Sequence, residues 1–71
     1  MKLILLIVMC SATADECMPP KEVAIFNSHY HCMMGGYSES MKLTQNLNIE
    51  EVNKHKIYFN FVCKPTEITE S

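Results

Sequence analysis

Apolar and polar positions divide the chain into three apolar stretches separated by polar connections. The first, Leu3-Ile4-Leu5-Leu6-Ile7-Val8-Met9-Cys10, is apolar without interruption and follows a single positive charge at Lys2. The small residues Ser11-Ala12-Thr13-Ala14 come next and precede the acidic pair Asp15-Glu16. One charge, a short apolar run and Ala12-x-Ala14 form a signal-peptidase pattern, so residues 1–14 are expected to be an export leader and residues 15–71 the mature, secreted domain. Eight apolar residues fall far short of the ~20 that cross a bilayer as a helix, which argues against a membrane anchor.

The second stretch opens after Pro19-Pro20. Proline presets a helical dihedral and lacks a donor that a first turn leaves unpaired anyway. Val23, Phe26, Tyr30, Met33 and Met34 then recur at helical spacing up to Gly35-Gly36, where a helix is expected to stop or bend. Ser38 can cap one further turn through Leu43, and Thr44–Asn48 reads as a polar connection. Asn48 with Glu51 is a variant capping box, and a helix begun there can run to Lys64, where Pro65 forbids continuation. Glu50 and Glu51 are explained as a charged first turn.

Ile57-Tyr58-Phe59-Asn60-Phe61-Val62-Cys63 is rich in β-branched and aromatic residues and also reads as a strand, with Ile57, Phe59, Phe61 and Cys63 on one side. No second clear strand is visible in residues 15–71 to pair with it, and a lone strand leaves its ladder groups unsatisfied. The expected fold class is therefore all-α, a small disulfide-bridged helical domain. The alternative is α+β with a C-terminal strand at 57–63.

Size sharpens the picture. Residues 15–71 make one domain, in the range where a hydrophobic core alone gives little net stability. With the leader removed, Cys17, Cys32 and Cys63 remain, and an oxidising compartment turns such cysteines into bridges. Three is an odd number, so one is left unpaired or free for an intermolecular bond. Closing Cys32 to Cys63 destabilises the unfolded chain by roughly 3.5 to 4 kcal/mol against ~3 for Cys17 to Cys32, a difference too small to choose between them. Local context favours Cys32 and Cys63, which sit near the ends of apolar segments while Cys17 lies in an acidic, proline-flanked lead-in.

Charge removes several classes of partner. Five lysines against eight carboxylates leave residues 15–71 at −3, with no arginine and no basic cluster. Nucleic acid and anionic membrane surfaces both select a basic patch, so neither is an expected partner. No Asn-x-Ser/Thr acceptor occurs.

Candidate chemistry is equally sparse. His29, His31 and Cys32, with His55 or Cys63, hold the residue types of a zinc or copper site. Residues two apart on a helix do not face one ion, so no metal or other cofactor is expected. Cys32 beside His31 makes a nucleophile pair only as a free thiol, and no oxyanion-hole element accompanies it, so no catalytic residue is assigned and no enzyme is expected.

His31-Cys32-Met33-Met34-Gly35-Gly36-Tyr37-Ser38-Glu39-Ser40-Met41-Lys42-Leu43, followed by Asn46-Leu47-Asn48-Ile49-Glu50-Glu51-Val52, resembles the middle of an insect odorant-binding protein of the pheromone and general odorant-binding family. Cys32 matches that family's second cysteine and Cys63 its fourth. Gly36 stands where the third is expected, and the chain ends where the fifth and sixth would follow. The resemblance implies an all-helical secreted carrier of a small hydrophobic ligand such as an odorant or pheromone, with a Cys32–Cys63 bridge and Cys17 left without its partner, available for a homodimer. The apolar side chains available to line the carrier's cavity are Phe26, Tyr30, Met33, Met34, Met41, Leu43, Phe59 and Phe61. The other expectation is a secreted disulfide-bridged venom, defence or signalling peptide that acts on a protein target.

Overall fold

The computed structural model describes residues 2–66 and is an α+β protein. Its elements are β1 (Lys2–Ser11), β2 (Glu16–Cys17), β3 (Lys21–Phe26), α1 (His29–Asn46), α2 (Ile49–His55) and β4 (Ile57–Thr66). The four strands form one antiparallel sheet with β1 in its middle. This overturns the all-α expectation, and the reason lies in β1. Residues 2–11 supply the partner that the strand after Ile57 requires, and β4 pairs with them from Lys2↔Thr66 to Ser11↔Ile57. A continuous apolar run bounded by turn residues suits a central strand as well as it suits a leader.

β2 and β3 together cover the opposite edge of β1. Ser11↔Glu16 and Cys10↔Cys17 make the first short ladder, and Leu3↔Phe26 through Ile7↔Lys21 make the second. Pro19-Pro20 falls between them, where no ladder donor is needed, so proline here separates two edge strands instead of opening a helix. The register shifts between Leu5 and Leu6, which makes Val23 the extra residue of a bulge. Residues 21–26, expected to be helical, carry Val23, Ile25 and Phe26 and extend against β1.

The turn from β1 to β2 is held from outside. Asp15 adopts φ 56°, a left-handed conformation that a short polar side chain tolerates. The Ser11 hydroxyl donates to the His55 carbonyl at 2.8 Å, the Thr13 hydroxyl donates to the same oxygen at 3.1 Å, and the Ala12 N–H donates to the Lys56 carbonyl at 3.1 Å.

Odd-numbered residues of β1 face the helices. Leu3, Leu5 and Ile7 are buried with Cys32 of α1, and Phe26, Leu43, Phe59, Phe61 and Cys63 pack around them. Cys32, with no exposed surface, is bonded to Cys63 and ties α1 to β4. Cys17 is bonded to Cys10 directly across the β1–β2 ladder, so no cysteine is free. The leader reading leaves Cys17 over only because it removes Cys10.

The helices begin where their caps dictate. The Ser28 hydroxyl accepts the His31 N–H at 3.1 Å, and Asn48 Oδ1 accepts the Glu50 and Glu51 N–H groups at 2.8 and 3.4 Å. Asn48 therefore caps α2 as its spacing predicts, but the helix ends at His55 and not near Lys64. Lys56 at φ 51° turns the chain into β4.

Gly35-Gly36, expected to stop a helix, lies inside α1. Gly36 is buried, and a Cβ there would overlap the Phe61 ring, so the glycine lets the helix backbone come down onto β4. Gly36→Ala is accordingly expected to destabilise the protein by about 1–3 kcal/mol despite alanine's better helix propensity, because the displaced ring belongs to the core. Urea denaturation checks this; a stabilised variant would show that the contact is not tight.

Candidate functional site

α1 shows two apolar faces, and only one of them is used by the core. Cys32, Gly36 and Leu43 turn toward the sheet, with Cys32 and Gly36 fully buried. Tyr30, Met34, Tyr37 and Met41 recur at intervals of four, three and four residues, which places them within ~60° of one another around the helix. They are 67%, 53%, 61% and 61% exposed, so three turns of helix present an unbroken apolar stripe to solvent. Scattered exposed apolar residues are ordinary, but a contiguous stripe marks a contact surface.

Positions beside the stripe carry no fixed charge: His31, Ser38 and Gln45 flank one side, Met33 and Ser40 the other. The Lys42–Glu39 pair, 3.8 Å apart, lies further round the helix in solvent and adds little stability. Tyr37 is partly braced, since its ring meets the Phe61 ring edge-on at 4.9 Å between centroids. Tyr30 meets the His31 ring in the same way at 5.3 Å.

The eight side chains set out for a ligand cavity are divided by this arrangement. Phe26, Leu43, Phe59 and Phe61 pack in the core, Met33 is half-buried, and Tyr30, Met34 and Met41 lie on the outer face of α1. They do not converge on one enclosed space. A cavity of about 260 Å³ lies at the other end of the sheet, lined by Met9, Cys10, Cys17, Met18, His55 and Ile57. None of the eight borders it.

His29 and His31 are exposed at the start of α1, where the Ser28 hydroxyl and His31 Nδ1 stand 2.6 Å apart. His55 belongs to α2 and pairs with Glu51 at 3.3 Å. With Cys32 and Cys63 joined in a disulfide, these groups do not assemble, and among the described residues no cluster of three His, Cys, Asp or Glu side chains can hold a metal ion. Among the described residues, no helix is long and apolar enough to cross a membrane.

The class defined by these observations is a small, doubly disulfide-bridged α+β protein with an exposed apolar helix face. No family model, no curated protein and no solved structure was found to match the chain. Sequence reasoning missed Tyr37 as a surface residue, although the 4-3-4 spacing of two tyrosines and two methionines carried the signal. Assigning Met33, Met34 and Met41 together to a cavity lining hid it.

Proposed function

We propose that this protein is an extracellular protein-binding module that works by docking and not by chemistry, with the Tyr30–Met34–Tyr37–Met41 face of α1 as its contact surface. The observation that carries this reading is the exposure of all four side chains in one stripe. Spacing of four, three and four is the period at which one helix seats its side chains between those of a second, so the occupant is an amphipathic α-helix of a partner protein. Uncharged flanks make that recognition hydrophobic, and two tyrosines supply the rigid, amphipathic anchors that dominate binding energy at interfaces. Two intramolecular disulfides and the absence of a membrane-spanning helix among the described residues are consistent with an oxidising, extracellular setting.

Selection from a displayed library of amphipathic helical peptides tests the reading. Peptides selected on the wild-type protein are expected to lose roughly tenfold or more in affinity for Met34→Glu/Met41→Glu, since both side chains leave water on binding. Retention of binding by that variant, with its circular dichroism unchanged, overturns the proposed surface.

A second reading, carriage of a small hydrophobic ligand, is supported by the methionine-lined cavity of about 260 Å³. That volume is just below the ~300 Å³ at which ligand sites begin. Saturable binding of an apolar fluorescent probe, displaced by fatty alcohols and insensitive to Met34→Glu/Met41→Glu, would favour the carrier over the docking module.

A further inference from the structure

Among the described residues, nothing covers the largely apolar face of the sheet turned away from the helices. Even-numbered residues of β1 point to it, and cross-strand partners share a face, so Ile4, Leu6, Val8, Ile25, Tyr58 and Val62 lie together on that side, with Glu22, Asn60 and Lys64 beside them. Ile25, Tyr58 and Val62 are exposed, and Ile4, Leu6 and Val8 are half-buried. An antiparallel sheet with one solvated face alternates apolar with polar residues along its strands. β1 breaks that rule at its even positions Ile4, Leu6 and Val8. A strand that is apolar on both sides belongs between two layers, and only one layer is supplied by α1 and α2.

We propose that the second layer is the same face of a second copy of this chain, the two sheets packing as a homodimeric sandwich. Charge placement on the face supports a copy over an unrelated surface. Lys64 stands opposite Ile4 on the β4 edge, and Glu22 stands opposite Leu6 on the β3 edge, one side-chain row further along. A two-fold axis parallel to β1 lays β3 of each copy over β4 of the other, which brings Glu22 of one chain diagonally across from Lys64 of its partner, twice by symmetry. Leu6 and Val8 of the two copies then meet along the axis, Glu22 of the partner lies across from Val62, and Lys2 falls at the end of the stack with its ammonium in water.

The area is sufficient for such a contact. Ten residues of β1 across a sheet three strands wide offer roughly 500 Å² per copy, hence ~1,000 Å² in all, the lower end of specific interfaces. The dimer is therefore expected to be reversible and concentration-dependent. It leaves both α1 stripes on the outside, so on the docking function proposed above each assembly carries two binding faces; the dimer itself does not depend on that function.

Sedimentation equilibrium of the full 71-residue chain across a concentration series tests the arrangement. The wild type is expected to approach twice the chain mass at high concentration. Val62→Glu, which changes a 56% exposed side chain and should leave the fold intact, sets a carboxylate against Glu22 of the partner and is expected to weaken association by roughly tenfold or more. Ile49→Lys, on α2 and away from the face, is the control and is expected to change nothing. Lys64→Glu should weaken the dimer, and Glu22→Lys/Lys64→Glu should restore it. A wild type that stays at one chain mass throughout overturns the proposal, as does a dimer indifferent to Val62→Glu or a charge swap that fails to rescue. Monomeric wild-type chain that instead co-sediments with phosphatidylcholine vesicles, and loses this with Val62→Glu, would assign the face to lipid and overturn it equally. Helical-peptide binding by Val62→Glu is expected to be unchanged, which keeps the two proposals separable.

Discussion

A chain that starts at Asp15 is expected to be unfolded. Removing residues 1–14 takes away Leu3, Leu5, Ile7 and Cys10, four of the five buried apolar residues of the core, together with the ladder partner of β2, β3 and β4. Burial of a leucine or isoleucine side chain contributes about 1.5–3 kcal/mol. Three of them amount to roughly 5–9 kcal/mol, as much as the whole stability of ~4–10 kcal/mol that a domain of this length has. No second strand in residues 15–66 can replace β1, because β3 and β4 flank it without touching each other in the sheet. The Asp15–Ser71 fragment should show a coil spectrum by circular dichroism and collapsed amide dispersion by NMR. Cooperative thermal unfolding of that fragment would mean that residues 15–71 have a different fold of their own. The same comparison bears on export. A product cut after Ala14 and this fold draw on the same ten residues, so mass spectrometry of a folded exported chain should find them present.

The second large effect belongs to the disulfide between Cys32 and Cys63. It spans 31 positions in sequence and fastens the first turn of α1 to β4. On the chain-entropy estimate its loss costs about 3.5–4 kcal/mol, to which the cavity left at a fully buried half-cystine adds. Cys32→Ala/Cys63→Ala is expected to lose most of its stability. The Cys10–Cys17 bridge closes only a short loop, spanning 7 positions, and its loss costs about 2.5 kcal/mol. Cys10→Ala/Cys17→Ala should therefore keep a cooperative transition at lower denaturant concentration. Denaturation of the two variants side by side decides the matter. The reverse ranking would place the main tie of the fold at the hairpin.

Most of what sequence reading missed follows from residues 2–11. Set aside as a leader, they left Ile57–Cys63 as a strand without a partner and tipped the balance toward helix. Returned to the chain, they make residues 57–66 the longest ladder in the molecule. Local signals that need no distant partner were legible. Asn48 caps α2, and the alternation of Ile57, Phe59, Phe61 and Cys63 named the side of β4 that faces the core. Signals that depend on tertiary contact were not. Gly35-Gly36 reads as a helix stop until the Phe61 ring beneath Gly36 is known, and Pro19-Pro20 reads as a helix start until β1 is seen alongside. The contact surface was half legible, since Tyr30, Met34 and Met41 were singled out but for an interior they do not enter.

The order of synthesis gives β1 a particular history. Its longest ladder joins Lys2 to Thr66 and Ser11 to Ile57, so among the described strands the one made earliest waits for the one made latest. Contacts of such sequence separation form late and slowly. β3 can close on one edge of β1 as soon as residues 21–26 are made, while the other edge stays unpaired until residues 57–66 follow. The sheet is completed only by the arrival of β4.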